Sequence, residues 1–497
     1  MFGIIKGVAK HSVIYGAADL LSKAIGFVMI PLYTYYLTTA DYGALELLDL
    51  ASYIVSMFMG LGIGQAVFRF YHNYDDEKKK HQVITVSMVT LWLVTLVILF
   101  FLVMFSKQIS TLVFSSREYY VLLNIVFVTV VLQLANRIPR AFIRIQNKSI
   151  LFVSISLVRL VLALFLNILF IVYYGMGIKG ILYSSLIVSA LSFVFMLGYI
   201  LKYIKLSYSF EVLKDMLKYS IPIMWSWFGM YVLHYGDRFL LQRMASLSDV
   251  GIYSLAYKFG MLPNILIMAP FMMMWAPKRF ELLKEENAPE IYSTIFTYFA
   301  FIQIYLGLGI IVLIKDVISV IADAKFYEAH HYVPMILIAY VICGVFTYVQ
   351  FGIHVAKKTR AIAVGTLMGA GLNLAVNFVL IPHIQIWGAA IATLVAWLFL
   401  LLYIYFPSQR FYYIPYEYGR VLKMVVGGVV LWVIASIINP ANVFVSLAVK
   451  FFIAFSFPFV LYFMHFYTNR ELEKLSQIIK EVVNFTRSKW RYIVAKF

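Results

Sequence analysis

Apolar runs of about twenty residues recur along the whole chain, and this recurrence restricts the fold more than any other feature. A helix of about 20 apolar residues crosses a hydrocarbon layer about 30 Å thick. Within that layer backbone polar groups must be satisfied internally, so only helices and closed barrels can span it. Unbroken apolar runs of this length are helical. The expected spans are 11–37, 42–68, 83–105, 119–143, 150–173, 180–201, 219–242, 249–276, 292–313, 331–354, 361–381, 386–406, 421–438 and 443–466. The connecting loops are short, with no inserted soluble domain. The first run continues past Pro31 without a small-residue cleavage site, so it is expected to be a span and not a leader.

The formal charge of +18, from 41 Lys and Arg against 23 Asp and Glu, would suggest nucleic acid in a soluble protein. Here the basic residues fall on alternate loops. With the N-terminus inside, 30 of the 41 lie on the cytoplasmic side, six on the outer side, and five within spans: Lys23, Arg159, Arg238, Lys258 and Lys450. That bias predicts an N-in, C-in topology and explains the basic excess without a nucleic-acid partner. Cys343 stands alone in an apolar run, and His330-His331 has no ligand-spaced partners, so neither a disulfide framework nor a metal site is expected. No cofactor and no catalytic residue are expected: there is no phosphate-cradling glycine loop, and the outer loops are too short for a catalytic constellation. That argues against a glycan polymerase or ligase.

The chain repeats itself. Asp41 and Gly43 in Leu37-Thr38-Thr39-Ala40-Asp41-Tyr42-Gly43 correspond, at an offset of 208, to Asp249 and Gly251 in Leu247-Ser248-Asp249-Val250-Gly251-Ile252-Tyr253. Independently, Lys148 precedes Asn167 by 19 residues, as Lys358 precedes Asn377. Six spans separate the copies, so the halves share one orientation and form a parallel repeat. The expected architecture is all-α: a six-helix lobe over 1–205, a second over 206–410, two accessory transmembrane helices over 411–467 and a basic tail over 468–497. Thr468 and Glu471 have capping-box spacing, and the tail is expected to lie as an amphipathic helix on the cytoplasmic face of the membrane.

Asp237-Arg238-Phe239-Leu240-Leu241, followed by Asp249-Val250-Gly251-Ile252-Tyr253-Ser254-Leu255-Ala256-Tyr257-Lys258, is similar to the signature of the polysaccharide-biosynthesis transporters. Ile30-Pro31-Leu32-Tyr33 and Asp41-Tyr42-Gly43-Ala44-Leu45 resemble that family's first hairpin. The resemblance covers nearly the whole chain. It implies a flippase of undecaprenyl-diphosphate-linked O-antigen or exopolysaccharide units in the bacterial cytoplasmic membrane. Alternating access driven by an ion gradient is implied, with a polysaccharide polymerase and chain-length proteins as partners beside the membrane lipids. The same superfamily holds multidrug and toxin extrusion exporters, so a cation-coupled drug exporter is the alternative.

A charge at the bilayer centre costs about 2.5–3.5 kcal/mol on insertion scales, so charges within spans need a reason. One reading is a cavity between the lobes in which Lys23, Arg159, Lys258 and Arg238 hold the diphosphate. Asp19, Glu46, Asp49 and Asp237 then serve a coupling ion. The other reading is pairwise neutralisation: Asp19 with Lys23, Asp237 with Arg238, and Glu46 or Asp49 with Lys258. Lys450 is expected to snorkel or meet a lipid phosphate. Arg137, Arg140 and Arg144 share one helix face, as entrance cations or as ordinary cytoplasmic anchors. Pro31, Pro222, Pro263 and Pro270 mark candidate gates or hinges, or simply tolerated membrane prolines. Tyr33, Tyr35 and Tyr36 could stack on sugars.

Overall fold

The computed structural model describes residues 26–203, 207–474 and 477. Lys23, Asp19, most of the first expected span and most of the tail lie outside these residues.

Among the described residues the chain is helical throughout, with no strand. In order, α1 is Ile30–Tyr36, α2 Thr39–Gly60, α3 Ile63–Asn73, α4 Glu77–Met104, α5 Ser106–Phe114 and α6 Tyr120–Ala135. Then come α7 Arg137–Ile145, α8 Ser149–Ile168, α9 Gly177–Ile200, α10 Phe210–Met244, α11 Leu247–Gly260 and α12 Ala269–Glu281. The last are α13 Ala288–Ile321, α14 Ala329–Val349, α15 Phe351–Val355, α16 Arg360–Phe411, α17 Tyr418–Ile437, α18 Val443–Phe455 and α19 Phe457–Phe463. Eleven described segments are long and apolar enough to cross a membrane.

Several expected spans are broken, each for a local reason. The second breaks at Leu61 and Gly62, both at positive φ. A Cβ on Gly62 would stand 2.8 Å from the Ser220 carbonyl oxygen, so only glycine fits where α10 passes. The fourth breaks at Asn136, whose Nδ2 donates to the Leu132 and Ser189 carbonyls at 2.9 and 3.3 Å. Pro139, in the next turn, has no N–H to return to the helix. The eighth passes from α11 through a wide π turn over Asn264–Met268, which follows Pro263. Its remainder is α12, with Pro270 in the first turn and Pro277 inside. Helix α16 spans 52 residues but breaks at Ile384 and Gln385, between the two spans expected there. Pro31 sits in the first turn of α1, where no helical bond is lost, and Pro222 lies inside α10.

The chain forms two compact units. One comprises Met1–Gly260, Ile318–Ala339 and Lys357–Ile404; the other Met261–Val317, Tyr340–Ala356 and Tyr405–Phe497. The first has a core of Ile63, Val67, Met88, Leu91, Phe142 and Met216. It also contains the meeting of the two repeat motifs. Thr38 caps α2 in a capping box with Asp41. Ser246 receives the Asp249 N–H at 3.1 Å and donates to its carboxylate at 2.5 Å, at the start of α11. The two capped helices then cross at Gly43 and Gly251. A Cβ on Gly43 would overlap the Leu247 carbonyl oxygen, and one on Gly251 the Thr39 carbonyl oxygen. Ser248 Oγ donates to Thr39 Oγ1 at 2.8 Å across the crossing.

In the second unit the core is Leu308, Met424, Leu431, Phe457 and Leu461. Here Lys450 departs from expectation. It is 3% exposed and its Nζ lies 2.8 Å from Asp316 Oδ2. Ser446 Oγ donates to the same oxygen at 2.8 Å, and Asn439 Oδ1 accepts from Lys450 at 3.3 Å. The ammonium is therefore held inside the protein and does not snorkel to lipid. Thr468 and Glu471 do cap one another, the Thr468 N–H donating to the carboxylate at 2.7 Å.

Candidate functional site

The site lies within the first unit and is built on α7. Steps of three and four residues put Arg137, Arg140 and Arg144 on one face. Glycine makes room for the first: a Cβ on Gly60 would stand 2.7 Å from Arg137 Nη1, and one on Gly64 2.6 Å from Nε. Arg140 lies over the Phe152 ring, 5.1 Å from its centroid, and reaches Ser156 Oγ at 3.5 Å. Arg144 lies 5.2 Å over Phe68. The three arginines, with Gln65 and Gln133, line a cavity of about 490 Å³.

A second cavity of about 400 Å³ adjoins it and shares Gln133 and Arg140. Arg159 lines it from α8, with Asp49 of α2 and Tyr33 of α1. The rest of its polar wall is neutral, made by Ser156, Asn167, Ser184, Ser185 and Ser189. Asn167 is 8% exposed and its Oδ1 has no hydrogen-bond partner. Among the described residues no carboxylate lies within 4 Å of Arg137, Arg140 or Arg159. Several guanidinium groups lining one space can bind a multivalent anion through charge-assisted hydrogen bonds.

The structure thus brings Arg159 together with the α7 arginines, two groups that the sequence reading kept apart. It places two other expected cations differently. Arg238 is 1% exposed; its Nη1 is 2.8 Å from Asp237 Oδ1, and its guanidinium lies 3.8 Å over Tyr257. Asp237 also accepts from Tyr253 at 2.6 Å and Thr393 at 3.3 Å. The Asp237–Arg238 pair is thus enclosed and internally neutralised, and neither residue lines these cavities. Lys258 donates to the Tyr42 hydroxyl at 2.7 Å and also lies outside both linings. No salt bridge joins it to Glu46 or Asp49 among the described residues. Glu46 is half-buried and Asp49 exposed. Gln65, Gln133, Asn167 and the serines were missed. Ser184, Ser185, Ser189 and Ser192, a polar stripe on an otherwise apolar helix, were the available signal.

Membrane-length apolar helices and a polar, basic cavity within them are features of a multi-pass membrane protein, and its fold is shared with known transporters. The fold is similar to that of the lipid II flippase MurJ in an inward closed conformation, at TM-score 0.73 and 16% identity, over 90% of this chain and 99% of that one. It is also similar to an inward-facing multidrug resistance MATE transporter of the MOP superfamily, at TM-score 0.64 and 13% identity, covering 81% and 96%. No curated protein sequence matches. The model of the polysaccharide biosynthesis protein family matches residues 8–282, and the chain belongs to that family.

Proposed function

We propose that the protein flips an undecaprenyl-diphosphate-linked oligosaccharide from the cytoplasmic to the outer leaflet of a bacterial inner membrane. The observation that carries this reading is the set of four arginines, Arg137, Arg140, Arg144 and Arg159, around two adjoining cavities. A lipid diphosphate is a multivalent anion attached to a polar glycan, and such walls suit both parts. An organic cation, the cargo of a drug exporter, would meet repulsion there.

In this reading the lobes over 1–205 and 206–410 rock against each other around the cargo. With the N-terminus inside, as the loop charges suggest, the α2–α11 crossing lies on the outer side and closes the exit, and the α7 arginines lie at the cytoplasmic end. Pro31, Pro222, Pro263 and Pro270 mark the bends that accommodate the motion. Glu46 and Asp49 remain open to ion coupling beside Asp19, since Asp237 is held by Arg238. Lys23 and Asp19 keep the roles expected from sequence. Polymerase and chain-length proteins take the exported unit.

The test is glycan export in cells carrying R137Q, R140Q and R144Q singly and together. Each single change is expected to reduce surface glycan at normal protein level, and the triple change to abolish it. Export at wild-type level by the triple variant would remove the basis of the proposal.

A further inference from the structure

The two cavities differ in chemistry, and the difference orients the cargo. This inference rests on the flippase reading. The α7 cavity has three guanidinium groups and no acid among its lining residues, with two aromatic rings, Phe68 and Phe152. Its neighbour mixes signs and functions: Arg159 and Asp49, serine hydroxyls, and the free Asn167 carbonyl oxygen buried in its wall. A phosphate at neutral pH only accepts hydrogen bonds, so Asp49 and Asn167 Oδ1 offer it nothing. A pyranose carries hydroxyls that both donate and accept, and it needs acceptors such as these two. A buried acceptor left unsatisfied is costly, so a ligand hydroxyl reaching Asn167 Oδ1 removes a penalty as well as forming a bond.

We infer that the second cavity is a subsite for the sugar attached to the diphosphate. The diphosphate lies at the α7 arginines, with Arg140 at the junction touching both parts. The first sugar extends toward Asp49, Asn167 and Ser185, with Tyr33 beside it. The first isoprene units leave past Phe68 and Phe152. The site is therefore selective for the reducing-end sugar and not only for the anion.

The experiment measures binding of two probes to the purified full-length protein in nanodiscs. One is farnesyl diphosphate; the other is the same lipid diphosphate bearing a single hexose. The wild type is expected to bind the hexose-bearing probe at least about tenfold more tightly, the scale of one or two hydrogen bonds to charged or buried acceptors. D49N and N167L should each erode that preference without lowering farnesyl diphosphate affinity. S185A, a milder change on an exposed side chain, serves if N167L does not fold, and should weaken the hexose-bearing probe alone.

R137Q with R144Q should weaken both probes by a similar factor and preserve the preference. A wild type with no preference overturns the subsite. So does a preference untouched by D49N and N167L, or equal weakening of both probes by those variants. If instead the arginine changes leave both affinities intact while D49N and N167L abolish the preference, the diphosphate reading fails and the sugar subsite stands.

Discussion

Replacing Gly43 by alanine adds one methyl group where α2 meets the backbone of α11. The built Cβ overlaps the Leu247 carbonyl oxygen and stands 2.9 Å from Gly251 N. These are backbone atoms in a helix, so neither can swing aside as a side-chain end could. The helices must separate, which weakens the Ser248–Thr39 hydrogen bond of 2.8 Å and loosens the packing around it. Overpacking of this kind costs about 1–3 kcal/mol. At about 1.4 kcal/mol per factor of ten, that shifts the balance between closed and separated crossings about 5- to 140-fold toward separation.

Gly251→Ala meets the Thr39 carbonyl from the other side and should cost a similar amount. The two substitutions act on one crossing. Once the first has pushed the helices apart, the second finds space, so the double variant should cost clearly less than the sum of the singles. Thermal unfolding in detergent gives the three costs, and distances between spin labels placed on α2 and α11 give the separation. Costs that add within about 0.5 kcal/mol, or no change in label distance, would refute the glycine-crossing argument.

Three further outcomes follow from the packing. Asp316→Asn or Lys450→Met alone should destabilise the second unit by about 3–5 kcal/mol, because each removes the opposite charge 2.8 Å away and keeps the other charge buried; Asp316→Leu with Lys450→Met together should recover most of that loss in thermal unfolding. Thr38→Ala and Ser246→Ala should each cost about 1 kcal/mol by loss of an N-cap, and, being equivalent positions, by similar amounts; a cost at one alone would break the equivalence. Gly60→Ala contacts the flexible end of Arg137, so it should leave the unfolding midpoint nearly unchanged yet reduce glycan export. Wild-type export in a stable Gly60→Ala protein would show that the guanidinium position does not matter.

The all-helical, membrane-length character of the eleven described segments was legible because hydropathy in lipid is a local property of each run. The repeat was legible too, since Asp41 and Asp249 must recur to cap equivalent helices. What those motifs do at Gly43 and Gly251 was not, because a close crossing exists only when the two segments meet. The break at Leu61–Gly62 depends in the same way on the distant Ser220. The single face of Arg137, Arg140 and Arg144 could be read from spacing. Its union with Arg159 depends on how α7 packs against α8. Lys450 was misread because Asp316 lies 134 residues away. For Arg238 the sequence left two readings open, a cavity cation or a pair with the adjacent Asp237, and the structure shows the pair. Neighbouring residues on a helix do not face one another, and the pair closes only because the arginine is long enough to fold back.

The central claim is that the arginine-lined cavity holds a lipid diphosphate. Binding of farnesyl diphosphate, farnesyl monophosphate and farnesol to the wild type and to R137Q/R140Q/R144Q tests it most directly. The account predicts saturable binding in the order diphosphate, monophosphate, alcohol. It also predicts that the triple variant loses diphosphate affinity by at least about a hundredfold, at roughly 1.5–3 kcal/mol for each charged hydrogen bond removed. Equal binding of all three lipids by the wild type, or undiminished diphosphate binding by a folded triple variant, would contradict it.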